Sequence, residues 1–182
     1  DRDAAESGEV VASVSDVVVE DDRGVRAVDG VSFDVRAGEV YGIAGVDGNG
    51  QSELIEALTG LRAPDGGEIR FRGEDVTATS RRRRIEAGMA YIPEDRQERG
   101  LVMDFDLVEN AILGSQHSRE FGPNGRLDWP ATRDHAEAII DEYDVRPPDA
   151  DAGAESLSGG NQQKFIVGRE FERDPELVVA SH

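Results

Sequence analysis

Glu39 to Leu58, EVYGIAGVDGNGQSELIEAL, contains the change of period on which the fold turns. Glu39–Ala44 is a short apolar run of the kind that fills a buried strand. Ser52–Leu58 then places its apolar residues at helical spacing, and a glycine-rich turn joins the two. A strand, a glycine turn and a helix in that order form the setting of a phosphate-binding loop. Glycines let the backbone curl until successive N–H groups face an anion, and the following helix contributes its positive end. Ser52 stands where a hydroxyl would ligate Mg²⁺. Gln51 stands where such loops carry a lysine, and exchanging a charged donor for a neutral one forfeits about 1–2 kcal/mol. Taken alone, the stretch reads equally well as a tight turn.

Outward from this centre the chain alternates strands and helices, which predicts an α/β fold with a mainly parallel sheet. Residues 1–8 read as a polar linker. Val10–Glu20 and Val31–Val35 read as strands across a turn rich in Asp, Arg and Gly, and Glu68–Arg72 reads as an edge strand. Arg81–Ala87 is expected to be helical, with Arg81 to Arg84 a solvated cluster. Met89–Ile92 is a strand stopped by Pro93. Leu107–Tyr143 is mostly helical with a break at Phe121–Asp128. Gly159–Arg173 is a helix, and Leu177–Ala180 is a final buried strand.

The charge balance bounds the partners. Among 182 residues there are 39 Asp and Glu against 20 Lys and Arg, giving a net charge of -19, and Lys164 is the single lysine. Such acidity argues against nucleic acid and anionic lipid. Acid spread over the whole chain, with arginine in place of lysine, also fits a protein bathed in concentrated salt. No apolar run reaches about eighteen residues, so no membrane-spanning helix is expected. Cysteine is absent, which excludes disulfides and thiolate chemistry.

Leu157-Ser158-Gly159-Gly160-Asn161-Gln162-Gln163-Lys164 carries the strongest signal. Ser158 can cap the helix that follows, and the paired glycines leave backbone N–H groups bare at its start. Read without its context it is a helix cap. Downstream of a phosphate loop and ahead of an apolar strand, it closely resembles the LSGGQ signature of ABC ATPases. The LSGGNQQK form is typical of sugar and nucleoside importers. GVDGNGQSELIEALTG resembles the Walker A segment of the second of two fused cassettes. AYIPEDRQERGLV resembles that subfamily's Q-loop region, and DLVENAILG the start of its helical subdomain.

The resemblance implies a P-loop NTPase (RecA-like) core with an N-terminal antiparallel β region and an inserted helical subdomain. Its parts would be residues 9–95 for the first portion of the core, 96–156 for the helical subdomain and 157–182 for the signature helix and a Walker B-like strand. The family's pattern continues past that strand, so the fold is expected to be C-terminally incomplete. None of His117, His135 and His182 is placed to serve as its switch histidine. By the same resemblance ATP and Mg²⁺ are the ligands. Gly45, Val46, Asp47, Gly48, Asn49, Gly50, Gln51 and Ser52 would hold the phosphates. Leu157, Ser158, Gly159, Gly160, Asn161 and Gln162 would form the signature segment. The Q-loop position falls at Glu94, a second candidate for magnesium beside Ser52. The magnesium aspartate falls at Ser181 and the general base at His182. Serine cannot replace that carboxylate, so this cassette's own site is expected to be degenerate. Its signature would serve ATP held by a partner cassette. The implied partners are that second cassette, permease subunits at the cytoplasmic face of the membrane and, indirectly, a solute-binding protein, with no nucleic acid. An ABC-type ATPase of DNA repair or chromosome handling, and a cassette that binds no nucleotide and acts as a brace, are the other readings.

Overall fold

The computed structural model describes residues 8–46, 48–122 and 126–181. Two compact units divide the chain, Asp1–Met89 and Ala90–His182.

The first unit is built on a four-stranded antiparallel sheet in the order β2-β1-β3-β4, with β1 at Val10–Glu20, β2 at Arg26–Arg36, β3 at Gly66–Phe71 and β4 at Glu74–Asp75. β-branched residues make up half of β1, and its alternation turns Ala12, Val14, Val17 and Val19 inward. Helix α1, Gln51–Thr59, buries Leu54, Ala57 and Leu58 and ends at Gly60 in the left-handed conformation. Helix α2, Arg81–Glu86, starts at Ser80, whose hydroxyl accepts from the Arg83 amide.

Three expectations are corrected here. The sheet of this unit is antiparallel throughout, as the N-terminal antiparallel β region implied by the resemblance requires, and not the mainly parallel sheet expected from the alternation of elements. Glu39–Ala44 is not a strand, and it is not buried: Val40 is 98% exposed. An extended apolar segment becomes a buried strand only when neighbours take up its N–H and C=O groups. Among the described residues no strand runs beside 39–44, and its one ring contact is Tyr41 stacked on Phe33 at 4.8 Å. Finally, Arg84 is not part of a solvated cluster, being only 1% exposed.

In the second unit, strand β5 (Met89–Ile92) pairs with β6 (Leu177–Ala180). Ser181 N–H donates to the Ile92 carbonyl at 3.0 Å, so the C-terminal ends of both strands lie together, the parallel arrangement. β6 is half-buried rather than buried. Around this pair lie a π-turn at Arg96–Gly100, helix α3 at Leu107–Ala111, helix α4 at Trp129–Glu142, a 3-10 turn at Ala154–Ser156 and helix α5 at Gly159–Phe171. α3 opens with a capping box between Asp106 and Glu109, and Asp128 caps α4 ahead of Pro130. The core joins Leu107, Val108, Ile139, Ile140, Phe165 and Ile166, all nearly inaccessible. α3 and α4 cover a smaller share of 107–143 than the sequence suggests, because 112–122 is a run of turns.

Candidate functional site

The phosphate-loop residues come together in the first unit. Gly50, the N-cap of α1, has φ 92°, and a Cβ there would lie 2.1 Å from the Ala27 carbonyl oxygen of β2, so only glycine fits. Gly48 is also left-handed, with φ 81°, and Asn49 N–H closes a turn onto the Val46 carbonyl at 3.1 Å. The first-turn amides of α1 have no intrahelical acceptor and carry the positive end of its dipole. Gln51 folds back over the loop. Its Nε2 donates to the Val46 carbonyl at 3.2 Å and lies so close to Gly45 that a Cβ there would be 1.8 Å from it. A neutral amide therefore fills the interior of the loop. Ser52 is exposed. Asp47 lies outside the described residues.

The signature residues assemble in the second unit. Ser158 caps α5, and its Oγ accepts from Asn161 Nδ2 at 2.9 Å and from Asn161 N–H at 3.4 Å. With both acceptor positions engaged, the hydroxyl proton is left to donate elsewhere. Asn161 Oδ1 in turn accepts from the Arg146 amide at 2.9 Å, which pins the start of α5 to the turn after α4. Leu157 is buried, and so is Gln162, whose Nε2 donates to the Ala154 and Leu157 carbonyls at 3.3 Å each. The side chains of these two residues serve packing. Ser158, Gly159 and Gly160 are exposed. A Cβ on Gly160 would meet nothing within 4 Å, and one on Gly159 would meet only the guanidinium of Arg96, at 3.4 Å. Packing thus gives no reason for either glycine. What glycine supplies here is an unobstructed backbone.

At the far end of α5, Glu170 is buried and accepts from Arg169 Nε at 3.0 Å and Arg173 Nη1 at 3.1 Å. Arg169 Nη1 also reaches the Asn110 carbonyl at 3.3 Å, tying α5 to α3. Burial pushes the Arg169 pKa down, while the Glu170 carboxylate opposes the shift.

Glu94 follows β5 and is exposed. The next residue, Asp95, accepts from the Gln97 and Glu98 amides at 2.9 Å each, which holds its carboxyl below the usual range. Gly100 then closes the π-turn against α5, where a Cβ would fall 2.5 Å from Ile166 Cδ1. Ser181, bonded to Ile92, is the position where the resemblance places a magnesium carboxylate. His182 lies outside the described residues. Among the described residues no group of three or more His, Asp or Glu could hold a metal ion. The bare first-turn amides of α1 are donors of the kind that suit an anion. A magnesium ion brought in with it would find the Ser52 hydroxyl and the nucleotide's own oxygens. The sequence reading missed Arg96 over Gly159 and the Asn161–Arg146 latch, because both join residues distant along the chain.

The family profile described as "ABC transporter" matches residues 28–180. The chain belongs to the ABC transporter family. Among its relatives, the guanosine import ATP-binding protein NupO of Bacillus subtilis (strain 168) is 45% identical over 181 residues, covering 100% of this chain and 36% of that protein. The glucose import ATP-binding protein TsgD13 of Haloferax volcanii is 44% identical over 183 residues, covering 100% of this chain and 33% of that protein. The chain thus spans about a third of the length of the curated relatives it matches. The fold agrees with solved ABC cassettes. A dimeric post-hydrolysis cassette bound to ADP and Pi aligns with TM-score 0.74 at 19% identity, covering 93% of this chain and 72% of the other. A nucleotide-free cassette aligns with TM-score 0.71 at 22% identity, covering 94% and 68%. The P-loop NTPase fold expected from the motifs is therefore present. No helix among the described residues is long and apolar enough to cross a membrane.

Proposed function

We propose that this chain is the nucleotide-binding part of an importer of simple sugars or nucleosides, and that its signature loop serves ATP held by a second cassette. The observation that carries this reading is the bare, exposed start of α5. Gly159 and Gly160 have no packing reason to be glycine, and the Ser158 hydroxyl keeps its proton for a ligand. Backbone donors at a helix N-terminus, closing over the γ-phosphate of a partner's nucleotide, stabilise charge that builds up there during hydrolysis. The import roles that the names of NupO and TsgD13 carry support the transport setting.

The cassette's own phosphate loop binds Mg-ATP weakly and turns it over slowly or not at all. Gln51 brings no charge, Ser181 cannot ligate magnesium as a carboxylate does, and His182 is a poor substitute for the general base. The working unit is then an asymmetric pair with one hydrolytic site and one degenerate site. It sits at the cytoplasmic face of the membrane, docks permease subunits through the segment Glu94–Arg99 and is linked to a solute-binding protein only indirectly, through those subunits. Residues 96–156 act as the helical subdomain between core and permease.

The test is ATP turnover by the intact two-cassette assembly carrying Gly159→Asp, in high-salt buffer. A carboxylate placed against the γ-phosphate should lower turnover about a hundredfold or more. Unchanged turnover overturns the reading and leaves the loop a helix cap. Gln51 filling its own loop favours a second reading, a cassette that holds no nucleotide and acts as a brace. A Mg-ATP titration that detects no binding to this cassette would support it.

A further inference from the structure

Arg84 is the buried cation that none of the roles above uses. It is 1% exposed, yet no carboxylate is among its acceptors. Nη1 donates to the Ala57 carbonyl at 2.5 Å and to the Leu58 carbonyl at 2.6 Å. Nη2 donates to the Val76 and Thr77 carbonyls at 2.7 and 3.2 Å, and Nε to Thr79 Oγ1 at 3.3 Å. A guanidinium has five N–H groups, and this one places all five. An ammonium, with three, could not do the same.

Two of those acceptors decide the role. Ala57 and Leu58 belong to the last turn of α1, where backbone carbonyls run out of intrahelical donors and the helix dipole is negative. The cation satisfies both needs at once. Its other three bonds fix it to the 76–79 turn, and its own backbone lies in α2, so α1 is tied at its C-terminus to the body of the unit. Gly60 makes room for this arrangement: a Cβ there would lie 3.0 Å from Arg84 Nε. At the other end of the helix, Gly50 is pressed on the Ala27 carbonyl. Held at both ends, a helix of nine residues has no freedom to slide or rotate. Its first-turn amides are the donors that the phosphate loop offers.

We propose that Arg84 is a positioning residue for the phosphate loop, setting through α1 the direction in which the Gln51, Ser52 and Glu53 amides point. The claim rests on the reading of 45–52 as a nucleotide loop only for its ligand arm. Positioning itself is measurable without ligand.

The experiment is amide hydrogen exchange on the intact protein, wild type against Arg84→Met and Arg84→Lys, with and without excess Mg-ATP. Met fills the volume but donates nothing, and Lys keeps the charge with fewer donors. Arg84→Met should speed exchange at the hydrogen-bonded amides of α1, 54–60, by about tenfold or more, the equivalent of losing one charged hydrogen bond, while β1, β2 and β3 exchange as in wild type. Arg84→Lys should fall between the two. Exchange that rises equally over all of residues 10–86 would make Arg84 a general stabiliser and overturn the proposal. So would exchange at 54–60 that does not change. If the Met variant fails to fold, the Lys variant alone decides, by local against uniform loosening. Wild type with no Mg-ATP protection at 45–54 would sink the nucleotide reading of this loop, and the ligand-free comparison would still judge Arg84.

Discussion

Gln51 and Arg84 mark the two ends of what single residues disclose. Gln51 was legible because its role is local: its neighbours in sequence are its neighbours in the loop, and its Nε2 lies on the Val46 carbonyl five residues back. Arg84 was not legible, because nothing in a run of four arginines says which one points inward. That choice is made by the end of α1, more than twenty residues away. The Gln51 geometry also yields a prediction. Its amide already lies inside the loop, so a lysine at the same place can turn its ammonium toward a phosphate with little rearrangement. Gln51→Lys should tighten Mg-ATP binding to this cassette about tenfold, the worth of replacing a neutral by a charged hydrogen bond. If the site is degenerate as proposed, hydrolysis by this cassette should not rise with affinity, since Ser181 is unchanged. Isothermal titration and single-turnover assays check the two halves, and unaltered affinity would mean that the loop does not present its phosphate face.

Elements were readable where their own periodicity decides and unreadable where a neighbour does. β1 falls on Val10–Glu20 as predicted, because its alternation is strong and the turn after it is polar. Glu39–Ala44 has an equally apolar sequence and forms no strand, since it lacks a hydrogen-bonding neighbour among the described residues. The π-turn at Arg96–Gly100 escaped for the converse reason: it exists where Gly100 lets the chain settle onto Ile166 of α5, a contact invisible locally. Contact between α4 and α5 depends on another such glycine. A Cβ on Gly168 would lie 2.7 Å from Tyr143 Cδ2 and 2.8 Å from Ile139 Cγ2, both on the partner helix or at its cap. Gly168→Ala gains helix propensity of somewhat under about 1 kcal/mol. It must then push apart two buried surfaces, at a cost of about 1–3 kcal/mol. Overpacking outweighs propensity, so urea unfolding should show a net loss of up to about 2 kcal/mol. A stabilised variant would mean that the two helices yield readily.

At the scale of the whole molecule, charge sets the conditions under which this architecture holds. With 39 acidic and 20 basic side chains, the net charge of -19 opposes compaction at every pH where carboxylates are ionised. Ion pairs offset only part of this. Those of Arg23, Arg26, Arg70, Arg82 and Arg133 lie on the surface, where such pairs contribute little. Salt weakens these attractions and the general repulsion together, but the repulsion is the larger sum and the longer in range. At about 0.1 M salt the screening length is about 10 Å, so like charges across the surface still interact, and at about 1 M it is about 3 Å. The melting temperature should therefore climb steeply from low salt to about 1 M KCl and then flatten. Screening can be separated from specific ion binding by comparing KCl with NaCl, which should act alike. Replacing four exposed acids, Asp34, Glu74, Glu98 and Glu155, by their amides should raise the melting temperature at low salt and leave it unchanged at about 1 M, where the removed charges no longer act at a distance. A melting temperature that stays level or falls as KCl rises would show that the acidic excess does not govern stability.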